Sequence, residues 1–167
     1  MDFVDTQVVR SSVMLFSGVE DPLDIIIPPD EGAVIDLIHV VSLFQVEVAI
    51  RKALLNMKNN CMKSKNIQSE ICYYLTPLKN INDSVRKLSP SAKTTAIAVI
   101  LVKPSSDTMA RLNQIRGIQE DACLFERLMT PEKASGLVEF FKVTAEEVEI
   151  SGLEDAILMK IAVKEHV

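Results

Sequence analysis

Acid–base or nucleophilic chemistry in this chain would have to start from two histidines and three cysteines. His39 lies in an apolar stretch, where an imidazole reads as a structural side chain, and His166 is the last residue but one. No Ser/His/Asp or Cys/His set assembles around either of them. Cys61, Cys72 and Cys123 are odd in number, form no CxxC and have no metal-ligand spacing, so they read as free thiols of a reducing compartment. The five glycines are scattered and make no phosphate-cradling loop. The residue types therefore predict a protein that is not an enzyme and that uses no cofactor and no metal.

Binding chemistry has better material. Lys58, Lys63 and Lys65 stand close together after a predicted helix, and phosphates are held by clustered cations on such turns. Lysines after a helix also offset its dipole. No aromatic residues interleave with them, so base stacking is not expected. Near the C-terminus, Lys160 is the only polar residue between Ala156 and Val163. Leu153, Ile157 and Ile161 form one stripe of a predicted helix, Ala156, Met159 and Val163 another, with Leu158 beyond them. A surface helix leaves its outer face polar. Either this helix is sandwiched inside the domain or one stripe meets a partner. Glu154 and Asp155 suit the positive end of its dipole.

These groups must be positioned by the elements between them. Ser42 and Gln45 predict a reciprocal capping box, with Val41 and Val46 as its staple. The helix it opens runs to about Met57, with Leu43, Val46, Ile50, Ala53, Leu54 and Met57 on one face and Phe44, Val48 and Leu55 widening that face. Ser69–Leu75 alternates like a strand. Asn80 caps a short helix over Ile81, Val85 and Leu88, which ends at Ser89-Pro90. Thr94–Val102 is apolar on both alternating faces, as a strand covered on both sides must be. Val13–Phe16 and Ala33–Ile35 are further strand candidates, whereas Pro28-Pro29 stops the run Ile25–Ile27. Ser106 or Asp107 opens a helix closed by Gly117, and residues 118–129 read as a strand plus a turn. Thr130-Pro131, Thr144–Glu147 and Ser151–Glu154 each open a helix, the last two with capping boxes. Strands and helices in no strict alternation predict an α+β fold, a small mixed or antiparallel sheet packed with several helices, in one domain over residues 1–167.

Whole-chain properties agree with a binding protein. The net charge of −5 argues against generic nucleic-acid binding, but the charge is unevenly spread. Residues 51–103 hold ten Lys/Arg against Glu70 and Asp83, and residues 119–155 hold ten Asp/Glu against Arg127, Lys133 and Lys142. The N-terminus has no basic-then-apolar leader pattern, and the longest apolar run, Ala96–Val102, falls far short of the ~20 residues that span a bilayer. A cytoplasmic and nuclear protein with no membrane partner is expected.

The order and spacing of certain residues carry a resemblance. Phe44-Gln45, Ala49, Lys52-Ala53, Met62–Ile67, Ser69–Ile71, Leu75–Pro77 and Asn80-Ile81, all within residues 33–88, resemble the TPRKB family, and Leu153–Lys160 matches a second segment of it. That family is the kinase-binding subunit of the KEOPS (EKC) complex, which makes threonylcarbamoyladenosine in tRNA. The resemblance implies a non-catalytic adaptor whose partners are a PRPK-type atypical protein kinase, the other KEOPS subunits through it, and tRNA. It implies kinase contact through the C-terminal segment, Leu153, Ala156, Ile157, Met159 and Lys160, and it favours tRNA contact at Lys58, Lys63 and Lys65. It also implies a helix where Ile25–Ile27 and Pro28-Pro29 stand. The alternative is a small ligand-binding or catalytic α+β domain without a recognisable site motif. Loss of a partner, as opposed to loss of turnover, would distinguish the first from the second.

Overall fold

A computed structural model describes the backbone of Asp2–Phe3 and all of residues 11–167. The strands are β1 Asp2–Phe3, β2 Ser11–Ser17, β3 Gly32–Asp36, β4 Ala96–Val102 and β5 Ile118–Glu120. They pair antiparallel in the order β1-β2-β4-β3, with β5 beside the end of β2. The helices are α1 Leu43–Lys58, α2 Ile67–Leu75, α3 Ile81–Leu88, α4 Ser106–Leu112, α5 Leu124–Leu128, α6 Pro131–Phe141, α7 Ala145–Ser151 and α8 Leu153–Val163. The expected α+β class and central strand are present.

β4 organises the core because every one of its residues is buried. Ala96, Ala98, Ile100 and Val102 face a layer made by α1 and α2, while Ile97, Val99 and Leu101 face Phe16, Val19, Ile27, Leu112 and Ile115. A third apolar cluster joins Leu137 and Phe141 of α6 to Ala156, Ile157 and Ile161 of α8. Gly32 is where β3 lies closest to β4. A Cβ there would sit 1.9 Å from the Ile100 carbonyl oxygen, so only glycine lets the two strands pair.

Several expectations are corrected. Ser69–Leu75 is not a strand but most of α2, whose N-cap Asn66 accepts from the Ser69 N–H. Ile67 and all of Glu70–Leu75 are buried, so the helix is covered nearly all round and its sequence has lost the polar face that betrays a period of 3.6. At α1 the Ser42 hydroxyl accepts from the Gln45 N–H as expected. The Gln45 amide does not return to Ser42. It accepts from the Val41 N–H at 2.8 Å and donates to the Leu75 carbonyl at 3.0 Å, tying α1 to the end of α2. Phe44, Val48 and Leu55 do not widen the core face of α1; they are exposed. Ser105 caps α4, one residue before the expected start, and α4 ends at Leu112, before Gly117. Residues 118–129 hold β5 and the short helix α5. The capping box at Thr144 forms in full, but the one expected at Ser151 does not: Ser151 closes α7, its hydroxyl donates to the Glu147 carbonyl, and Gly152 stands at the start of α8 with no side chain to cap it. A 3₁₀ turn, Pro22–Asp24, precedes Ile25–Ile27, which form neither helix nor strand.

Candidate protein and RNA docking surface

α8 divides its apolar residues between two sides. Ala156, Ile157 and Ile161 pack inward on Leu137 and Phe141, and Ile157 has no exposed surface at all. Leu153 is half-buried against the same cluster. Lys160 reaches across to α7 and pairs with Glu147 at 2.8 Å. Outward, Met159 is 61% exposed and Val163 38%. The outer face of α1 offers Phe44, 52% exposed, and Val48, 37%. Between the two helices lies a groove with a cavity of about 430 Å³, walled by Val48, Leu158, Met159, Ile161 and Ala162 and rimmed by Lys52, Tyr74, Glu165 and His166. Of the residues expected to meet a kinase, Met159 therefore lies on this open surface, whereas Ala156 and Ile157 support it from below.

The basic turn sits at the other end of α1. Asn59 ends the helix, Asn60 takes a left-handed conformation with φ of 52°, and the Cys61 N–H returns to the Asn56 carbonyl at 2.9 Å. Glu70, on α2 and fully buried, then holds the turn from beneath. Its carboxylate accepts from the N–H of Lys63 at 3.0 Å, the N–H of Ser64 at 2.9 Å, the Ser64 hydroxyl at 2.7 Å and the Asn56 amide at 2.9 Å. A buried carboxylate is tolerated only when it is satisfied in this way. Lys58 and Lys65 are exposed on either side.

The C-terminal residues connect the two surfaces. Lys164 is buried, donates to the carbonyls of Tyr73 and Thr76, and stands 3.6 Å from the centroid of the Tyr73 ring. Glu165 accepts from the Tyr74 hydroxyl at 3.1 Å and pairs with the Lys63 ammonium at 2.6 Å. The hydrogen bond from Lys63 holds the Glu165 carboxyl below its ordinary range, and the same bond raises Lys63. Burial raises the Tyr74 phenol, so it remains a donor at neutral pH. One of the three expected lysines is thus already engaged by an anion of its own chain.

The nucleophile candidates sit elsewhere. Cys72 is buried, and burial pushes its thiol up to about 12. The His39 ring stacks on Phe140 with centroids 4.1 Å apart, and burial, with the Lys87 charge second, lowers its basicity. Among the described residues no group of three metal-ligating side chains forms, and no helix is long and apolar enough to cross a membrane.

Sequence reasoning did not find the α1 wall of the groove. Its signal was present, because Phe44, Val48 and Leu55 repeat at helical spacing along a line distinct from the core stripe. It did not find Lys52, Tyr74 or Glu165, for which position in sequence offers no cue.

Comparison with known proteins adds the family. Residues 23–165 match the family described as kinase binding protein CGI-121. The EKC/KEOPS complex subunit TPRKB of Danio rerio is 29% identical over 138 residues, which cover 81% of this chain and 77% of that protein. The EKC/KEOPS complex subunit cgi121 of Aspergillus fumigatus is 38% identical over 77 residues, 46% of this chain and 41% of that protein. The corresponding subunit of Kluyveromyces lactis is 36% identical over 75 residues, 45% of this chain and 48% of that protein.

Proposed function

The chain belongs to the CGI-121 family of kinase-binding proteins, and from that premise we propose that it is a non-catalytic subunit of an EKC/KEOPS-type assembly. In this reading it docks on a PRPK-type atypical protein kinase, joins the other subunits through it, and supports threonylcarbamoyladenosine modification of tRNA in cytoplasm and nucleus. The observation that carries the reading is the apolar groove between α1 and α8. Met159, Val48 and Phe44 place large apolar side chains in water on neighbouring helices, and contiguous apolar surface of this kind is what a partner buries. Leu153, Ala156 and Ile157 then serve the docking by fixing the position of α8, and Met159 meets the partner. Lys160, paired to Glu147, ties α8 to α7.

The tRNA part rests on Lys58, Lys63 and Lys65, presented on a turn whose backbone is tied down by Glu70. These cations suit phosphates and carry no base readout. A reconstituted assembly of kinase, transferase and accessory subunits, with and without this chain, tests the reading. Omission should lower the yield of threonylcarbamoyladenosine on tRNA, and Val48→Glu with Met159→Glu should reproduce the omission by failing to co-elute with the kinase. Full modification without the chain, or co-elution of the double variant, would overturn it.

A further inference from the structure

The polar groups around the groove between α1 and α8 are not equivalent. The Glu165 carboxylate is taken twice, by the Lys63 ammonium at 2.6 Å and by the Tyr74 hydroxyl at 3.1 Å. That bond uses the only proton Tyr74 can donate. The Gln45 amide accepts from the Val41 N–H and donates to the Leu75 carbonyl. Lys52 differs from these. It is exposed on α1, one turn beyond Val48, and among the described residues no carboxylate lies within 4.0 Å of its ammonium. The Tyr74 ring centroid is 5.9 Å away, at the limit of a useful cation–π interaction, so the charge hangs over the rim without being held there. Its surroundings in the chain are basic: Arg51, Lys52, Lys58, Lys63 and Lys65 fall between Val48 and Ser69, and no acidic residue does. Asp155, one turn before Met159 on α8, does not line the groove.

We infer that the kinase segment seated in this groove is an acidic amphipathic helix, with a large apolar side chain between Val48 and Met159 and a carboxylate one turn away on Lys52. The inference rests on the docking reading proposed above and adds the charge of the partner to it. A groove between two helices is the shape that a third helix fills through anchors three or four residues apart, and Val48 and Lys52 stand at that spacing. The sign follows from the rim. A partner cation would face Lys52 and would have to displace Lys63 from Glu165. A partner lying over the groove desolvates the Lys52 ammonium, which is costly unless the partner brings an anion to it. A nucleic acid could supply that anion as phosphate, but its backbone has nothing to set against the apolar walls made by Val48, Leu158, Met159, Ile161 and Ala162.

Titration calorimetry of the full chain with a PRPK-type kinase, repeated from about 50 mM to about 500 mM NaCl, reads the pair. Lys52→Met keeps the apolar stem and removes the charge. It should melt like the native chain, bind the kinase about fivefold or more weakly at low salt, and show a shallower salt dependence. Lys52→Arg should keep native affinity, and Lys52→Glu should bind more weakly than Lys52→Met. Val48→Glu separates this inference from the reading beneath it. If Val48→Glu binds the kinase like the native chain, the docking reading falls and this inference falls with it. If Val48→Glu loses the kinase while Lys52→Met keeps native affinity and salt slope, the groove stands and the acidic occupant is refuted. Tighter binding by Lys52→Glu would refute it by showing a basic partner. Sedimentation showing that the groove joins two copies of this chain in place of the kinase would overturn it as well, as would a Lys52→Met protein that loses affinity for tRNA and not for the kinase.

Discussion

The two sides of α8 can be told apart by a paired substitution at Ile157 and Met159. Ile157 is fully buried between Leu137 and Phe141, themselves among the least exposed side chains. Ile157→Ala removes three carbons from a site whose neighbours are held on all sides, so the cavity persists and the cost should be about 2–5 kcal/mol. At this chain length each kcal/mol moves the melting temperature by roughly 2–4 °C, so a fall of about 10 °C is expected. Met159 is mostly in solvent, and Met159→Glu should change stability by no more than about 0.5 kcal/mol. In the kinase complex the new carboxylate would be desolvated without a partner, which should cost about 2 kcal/mol or more, some thirtyfold in Kd. Thermal melts by circular dichroism and titration calorimetry with a PRPK-type kinase read both quantities on the same preparations. An Ile157→Ala protein that melts like the native chain would refute the placement of α8. A Met159→Glu protein that binds the kinase with native affinity would refute the groove as the docking surface.

Exchanging Lys63 and Lys65 together for Glu should weaken tRNA association by the assembled complex and flatten its salt dependence by about 0.9 for each phosphate no longer neutralised, measured by filter binding over a salt series; an unchanged slope would show that neither lysine meets the RNA. Glu70→Ala should cost about 2 kcal/mol or more in urea denaturation, because it takes the acceptor from two part-buried N–H groups and from one N–H of the buried Asn56 amide, and it should erase hydrogen-exchange protection at residues 63 and 64; retained protection would show that the turn does not depend on α2. The Glu165 carboxyl, lowered chiefly by Lys63, loses its proton more readily in the folded than in the unfolded chain. Its contribution is therefore complete above the ordinary value of 4.5 and is lost as pH falls through the lowered folded value, so the stability gap between the native chain and Glu165→Gln should shrink from pH 6 to pH 3. A gap that stays constant over that range would remove the Lys63 pair from the account.

The sequence disclosed the elements whose apolar pattern matches their burial or whose caps are local. Ala96–Val102 could be read as a doubly covered strand because each alternating set is apolar, and both faces are covered as read. Asn80, Thr130 and Thr144 each cap the helix they precede, since a cap needs only its own next three residues. α2 was illegible for the opposite reason. Its Glu70 looks like a surface residue until Asn56, Lys63 and Ser64 surround it, and those partners lie six to fourteen positions away. The proposed docking surface was half legible. Too much apolar surface on the last helix announced an unusual environment, but which stripe faced in depended on where α6 lay, and Ile157 rather than Met159 proved to be the inner one.

The carboxylate of Glu70 also bears on the economy of recognition. A loop that carries its cations on a disordered backbone gives up that freedom when it meets an anion, and the entropy penalty subtracts from affinity. Here the amides of residues 63 and 64 are already clamped before any encounter, so the ordering cost falls on folding and not on binding. In the proposed tRNA contact, α2 would thus set the spacing of Lys63 and Lys65 through the backbone of the turn. Substitutions on the buried side of α2 would alter phosphate affinity from a distance, through the shape of the turn alone.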